Sequence, residues 1–163
     1  MSSNVQHDPE AARAAVDDDE IVTWWGLVIE GYLVTNGKLM NEIAERFALT
    51  PASFDILLRL VRTQGCRKPM TQLAREVALS SGGFTKVADR LVAAGLIKRE
   101  PCETDRRVTY VTLTAKGRRL AERARAACAD ILRERVLAPL GEKRAKELAN
   151  AMRVLREANS TES

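Results

Sequence analysis

Histidine is nearly absent. The only one in 163 residues is His7, near the N-terminus, and no second histidine is available to build a His/Cys metal site. The three cysteines, Cys66, Cys102 and Cys128, are odd in number, widely spaced and form no CxxC pair. That pattern argues against a disulfide framework and fits a reducing cytoplasm. No apolar run reaches the roughly 20 residues of a membrane span, so no membrane association is expected. The N-terminus holds Asp17-Asp18-Asp19-Glu20 and lacks the basic and apolar regions of a secretory signal. There is no paired-carboxylate site, no nucleophile with a histidine and no glycine-rich phosphate loop, Gly82-Gly83 alone being too little. The chain is therefore not expected to be an enzyme, and no catalytic residue, metal ligand or cofactor is assigned.

Charge is present, and it is unevenly spread. The net value is only +4, with a pI near 9.2. Met1 to Ile56 carries 3 basic and 10 acidic residues, whereas Leu57 to Arg125 carries 16 basic and 6 acidic. The middle of the chain holds the positive field, and such a field favours a polyanion. A hydrophobic fraction of 45% suffices for one core.

The apolar residues set the elements. Residues 1–19 read as a mobile tail, with a possible helical turn at 11–16. Ile21, Trp24, Trp25, Val28, Ile29, Tyr32, Leu33, Leu39, Met40, Ile43 and Phe47 recur at three- and four-residue steps, predicting a long helix from Glu20 that Gly31 and Gly37 weaken. Thr50-Pro51 opens a second helix, which ends near Gln64, and Gly65 to Pro69 reads as a loop. Met70 to Ala78 forms a short helix. Ser80-Ser81 caps another, which buries Phe84, Val87, Ala88, Leu91 and Val92 and ends at Gly95. Leu96 to Glu100 and Arg107 to Leu113 read as a hairpin. Thr114 caps a helix to about Leu137, and Pro139 opens the last.

This order predicts a mainly α fold with a small β-hairpin wing. A helix-turn-helix at 49–114 carries the wing. It is flanked by a dimerisation helix at 20–48 and C-terminal dimerisation helices at 115–159. On the helix from Ser81 the outward residues include Gly82, Thr85, Lys86, Asp89 and Arg90. A major groove admits such a helix and presents base edges to its donors. Ser80 and Ser81, at the helix start, suit a phosphate, and Gly82 lets the backbone come close. The hairpin tip bears Asp105-Arg106-Arg107. A salt bridge between Asp105 and Arg107 would fix the wing and leave Arg106 or Arg107 to reach DNA, where arginine favours a narrow minor groove. In the helix after Thr114, the stripe Gly117, Leu120, Ala124, Ala127 and Ile131 suggests a two-fold interface.

The stretches Leu73-Ala-Arg-Glu-Val, Leu79-Ser-Ser-Gly, Arg90-Leu-Val-Ala-Ala-Gly-Leu-Ile-Lys-Arg and Asp105-Arg-Arg-Val-Thr-Tyr-Val-Thr-Leu-Thr-Ala-Lys-Gly resemble the MarR family of bacterial transcriptional regulators. The resemblance extends over roughly Glu20 to Met152 and is strongest from Met70 to Gly117. It implies a homodimeric winged-helix repressor that binds double-stranded DNA at a pseudo-palindrome, usually near its own promoter, and is released by a small ligand or by oxidation. Asp105 and Arg107 match the family's wing pair, and Ser81 to Arg90 its recognition helix. A urate-responsive subgroup uses a Trp, an Asp and an Arg for its effector. Trp24 or Trp25 and Asp55 match the first two, while Val87 stands where the Arg is expected. Asp55 also lies one turn before Arg59, with which it can pair. Cys102, near Arg99, Arg106 and Arg107, suggests a redox-sensing regulator as an alternative. Another is a protein-interaction module whose basic face meets an acidic partner.

Overall fold

A computed structural model of the chain describes residues 16–77 and 79–160. Most of the expected N-terminal tail, with its helical turn and His7, lies outside the described residues. Helix α1 runs Asp18–Phe47, beginning two residues before Glu20 and continuing through Gly31 and Gly37. Asp18, Asp19 and Glu20 occupy its first turn, where negative charge complements the helix dipole. The chain divides into two compact units, Met1–Gly37 and Lys38–Ser163. In the first, Ile21, Val22, Trp24, Trp25, Leu27, Ile29, Tyr32, Leu33 and Val34 are all exposed.

The second unit contains the core. Leu39 and Ile43 of α1 are buried there. Helix α2, Pro51–Val61, starts as the sequence predicts, with Pro51 in its first turn and Thr50 Oγ1 accepting the Ser53 N–H. Ile56, Leu57 and Leu60 from α2, Leu73 from α3 (Met70–Glu76) and Ala88 from α4 (Ser81–Ala93) have no exposed surface. Truncating a buried leucine of this kind to alanine costs about 2–5 kcal/mol. Val92 of α4, expected inside, is 38% exposed.

The sheet has three antiparallel strands in the order β1-β3-β2. Strand β2 is Ile97–Pro101 and β3 is Thr109–Leu113. Arg107 and Val108, expected in the second strand, belong instead to the turn at the tip, because Asp105 engages the Arg107 backbone. The third strand, β1, Arg67–Pro69, pairs with β3 from Arg67 opposite Thr112 to Pro69 opposite Tyr110. The sequence reads as a loop there because three residues show no alternation. Pro69 is tolerable because β1 is an edge strand.

Helix α5, Ala115–Leu132, is capped by Thr114, whose Oγ1 accepts the Gly117 N–H. Gly117, Ala124 and Ile131 are buried within the chain, together with Ala121 and Cys128. The stripe expected to meet a partner is therefore largely core of this unit. The boundary expected near Leu137 is also different. A π-helical turn, Arg133–Leu137, leads directly into α6, Ala138–Asn159, and a kink falls at Gly141 (φ +74°). Arg135 donates to Glu42 Oε1 from Nε (3.0 Å) and Nη2 (2.5 Å), clipping the turn to the end of α1. No residue of α6 is buried, and Leu148, Met152, Val154 and Leu155 are exposed.

A charge cluster fixes α3 against β1 and α2. Lys68 Nζ lies 2.7 and 2.6 Å from the two Glu76 oxygens, Gln72 adds a bond of 2.9 Å, and Arg59 approaches at 3.8 Å. The Lys68 bond, more than the other contacts, holds the Glu76 carboxyl below its ordinary value of 4.5. A depressed carboxyl stabilises the fold fully above its unfolded pKa and loses that contribution as pH falls through the folded one. Glu76→Gln is expected to reduce stability at pH 7 by about 1 kcal/mol or less, the range of partly exposed pairs. The difference from the parent should vanish toward pH 3. Urea melts at both pH values check this.

Candidate nucleic-acid interface

Alternation of buried and exposed positions makes one side of α4 a surface. Phe84, Ala88 and Leu91 point into the core, so Gly82, Thr85, Lys86, Asp89 and Arg90 face outward. Ser80 is the N-cap, and its Oγ accepts the Gly83 N–H at 3.1 Å. The hydroxyl proton of Ser80 remains available to an external acceptor, and the first-turn amides favour an anion. The backbone of Ser81 opens the helix. Lys86 and Arg90 make no ion pair among the described residues, unlike most charged side chains of the sheet.

The wing tip is built by one carboxylate. Asp105 Oδ1 accepts both the Arg107 backbone N–H (3.0 Å) and its Nε–H (3.2 Å). The Val108 N–H bonds the Asp105 carbonyl at 3.0 Å, and the Cys102 N–H closes on the Val108 carbonyl at 2.8 Å. The expected Asp105–Arg107 salt bridge is thus present. The Arg107 side chain nonetheless stays 92% exposed, so it is oriented without being covered. Arg106 beside it is exposed, with no ion pair among the described residues.

Folding brings Thr85 of α4 and Arg107 of the wing to one depression. A cavity of about 450 Å³ between α3, α4 and the wing is lined by Thr71, Arg75, Thr85 and Arg107. Arg75, in the last turn of α3, is a cation that the motif reading missed. Its exposure on a short helix that packs by Leu73 was the available signal.

The wing and α4 are joined to the rest by contacts that no motif announces. Lys116 Nζ donates to the Ala94 carbonyl at the end of α4 (2.8 Å). Thr114 Oγ1 donates to the Gly95 carbonyl (2.7 Å), and the Leu96 carbonyl accepts the Thr114 N–H at 3.0 Å. Asp89 of α4 pairs with Arg99 of β2 at 2.7 Å.

The remaining candidates sit as follows. Trp24 and Trp25 are 49% and 54% exposed on α1. Asp55 on α2 accepts from Arg59 Nε at 3.0 Å. Val87, on α4, is half-buried against the core. Cys102 lies 3.3 Å from the Thr104 hydroxyl. That hydroxyl first, then the backbone of Asp105 and Thr104, holds the thiol below its ordinary value. Arg99, Arg106 and Arg107, near it in sequence, are not among the causes. Burial pushes the Cys128 thiol up. Among the described residues no group of His, Cys, Asp and Glu can hold a metal ion, and no helix is long and apolar enough to cross a membrane.

Comparison with known proteins places this arrangement. Residues 47–108 match the model of the MarR family. An uncharacterised HTH-type transcriptional regulator of Bacillus cereus is 37% identical over 91 residues, which span 55% of this chain and 57% of that protein. The chain thus aligns with little more than half of that relative. The crystal structure of a probable transcriptional regulator from Pseudomonas aeruginosa is 30% identical, covering 80% of this chain and 95% of that one, with a TM-score of 0.65. Sco3205, a MarR family transcriptional regulator from Streptomyces coelicolor solved in complex with DNA, shares the fold at a TM-score of 0.79, with 23% identity over 91% and 93% of the two chains. The winged helix and these matches agree: residues 47–108 form a MarR family segment, within a chain that has the fold of MarR family regulators.

Proposed function

We propose that the chain is a transcriptional regulator that binds double-stranded DNA sequence-specifically. Helix α4 enters a major groove and the wing reaches the adjoining backbone or minor groove. The observation that carries this reading is that Arg107 of the wing and Thr85 of α4 line one depression, while the exposed Lys86 and Arg90 of the same helix, like Arg106 at the tip, make no ion pair among the described residues. A helix of α4's width fits the major groove, and exposed cations beside it supply the phosphate term. The structural neighbour Sco3205 was solved with DNA, which supports the same mode here. The contact set comprises Ser80, Ser81, Gly82, Thr85, Lys86, Arg90, Arg106 and Arg107, with Asp105 as the residue that orients the last. Regulation is repression at a pseudo-palindromic operator near the chain's own gene, relieved by a small-molecule effector. Trp24, Trp25 and Asp55 contribute to the effector response.

The acting species is a homodimer. The support is the exposed apolar surface of α1 from Ile21 to Val34 and, separately, of α6 at Leu148, Met152, Val154 and Leu155. Exposed apolar residues in such number mark a contact surface. Two-fold pairing presents two recognition helices to the half-sites of a pseudo-palindrome. Sedimentation at micromolar concentration is expected to give a dimer. A monomer that persists with DNA present contradicts it.

Footprinting on DNA flanking its own gene tests the reading. Lys86→Ala should then change base preference at one position by about 1–3 kcal/mol if Lys86 meets a base edge. If it meets only phosphate, all sequences weaken alike and the salt slope falls by about one. Unchanged affinity on every duplex removes Lys86 from the interface. No protection, with capture of an acidic protein surface by the basic face, would favour an interaction module instead.

A further inference from the structure

Asp89 is the only acidic residue of α4, and it lies on the outward face between Lys86 and Arg90. A carboxylate there opposes a phosphate backbone unless something holds it. The structure supplies the partner from another element. Arg99 Nη1 is 2.7 Å from Asp89 Oδ1. Arg99 stands opposite Val111 in the β2–β3 register, and Val111 is fully buried. Paired residues share a face of a sheet, so Arg99 leaves β2 on the side that packs against the helices. Lys98 pairs instead with Glu100 at 2.7 Å, and Glu100 accepts from Thr112 at 2.8 Å on the opposite face. Among the described residues, Asp89–Arg99 is the one ion pair that joins α4 to the sheet.

We propose that Arg99 is a positioning residue. It neutralises Asp89 at the DNA-facing surface and sets the roll of α4 against the wing, without itself contacting DNA. This rests on the reading of α4 and the wing as the DNA-binding surface. Both side chains are partly exposed, so the pair adds little to folding, and variants at either position retain the fold. The effect appears in binding, because a freed carboxylate sits beside Lys86 and Arg90. Direct contact and positioning differ in their salt signature. Losing a phosphate contact lowers the salt slope by about one, whereas losing a positioned carboxylate's partner leaves the count of phosphate contacts unchanged.

The test measures affinity for the duplex that the wild-type chain protects, and for a scrambled duplex, across a salt series. The proteins are wild type, Arg99→Ala, Asp89→Ala, the double variant and Arg99→Lys. Arg99→Ala should bind the protected duplex about tenfold more weakly at an unchanged salt slope. Adding Asp89→Ala should restore most of that loss, a coupling within the range seen for residues in contact. Arg99→Lys should keep most of the affinity. An equal loss with and without Asp89, with the slope lowered by about one, would make Arg99 a phosphate contact and overturn the proposal. So would equal affinity for all five proteins. A wild-type chain with no preference between the duplexes overturns the surface reading itself, and the role of Arg99 with it.

Discussion

Gly117→Ala is expected to destabilise the protein by about 3 kcal/mol or more. A Cβ at this position would stand 1.8 Å from the Leu96 carbonyl oxygen and 2.7 Å from its carbon. Both are backbone atoms, so no side chain can swing away. Two effects of the substitution oppose each other. Alanine in place of glycine inside a helix normally gains about 1 kcal/mol in propensity. Overpacking against fixed atoms costs about 1–3 kcal/mol and sometimes more, and a contact this short lies at the far end of that range. The Leu96 carbonyl is also the acceptor for the Thr114 N–H, so moving it disturbs the junction between α4, β2 and α5. At about 2–4 °C per kcal/mol for a chain of this length, the melting temperature should fall by about 6–12 °C. Gly82→Ala is the control, because its Cβ would meet nothing within 4 Å. It should melt at or slightly above the parent temperature. A Gly117→Ala protein that melts with the parent would show that the α4–α5 junction is not packed as described.

The second large effect concerns the wing. Arg107→Ala should lower affinity about tenfold on operator and non-specific DNA, with a larger loss where the flanking minor groove is narrow. Asp105→Ala separates two accounts by sign. Removing a negative charge from a DNA-binding tip should tighten binding if charge alone acts. If Asp105 orients Arg107 through its two bonds of 3.0 and 3.2 Å, operator affinity should fall instead. Fluorescence anisotropy on wild type, the two single variants and the double variant measures the coupling. Orientation predicts that Asp105→Ala costs little once Arg107 is gone. Tighter binding by Asp105→Ala, or strictly additive effects, contradicts it. Stability should hardly change in any of the four, since an exposed pair contributes about 0–1 kcal/mol.

Legibility in the sequence followed how local each signal was. Thr50, Ser80 and Thr114 each cap the helix that follows them, and each cap is a contact across three residues. The Asp105–Arg107 pair spans two residues, so its spacing alone suffices to suggest it. Contacts between distant segments were not readable. Strand β1 exists only because β3 lies beside it, and Arg-Lys-Pro has no alternation of its own. Asp89–Arg99 and Lys116–Ala94 join different elements, so nothing in either segment marks them. The α5 stripe was visible, but its direction was not. Periodicity tells that Ala124 and Ile131 share a face, and only the packing tells that α2 covers it within the same chain. Gly117 illustrates the same limit, since its reason is a carbonyl 21 positions earlier in the chain.

The central claim is that α4 and the wing read DNA sequence, and the most direct test is a specificity ratio. It is measured as the affinity of the full chain for the duplex it protects, divided by its affinity for a scrambled duplex of equal length and composition, at fixed near-physiological salt. Specific recognition predicts a ratio of about 10³ or more. A ratio near one, with both affinities falling together as salt rises, would leave only a generic attraction of the basic segment for polyanions and would contradict the claim.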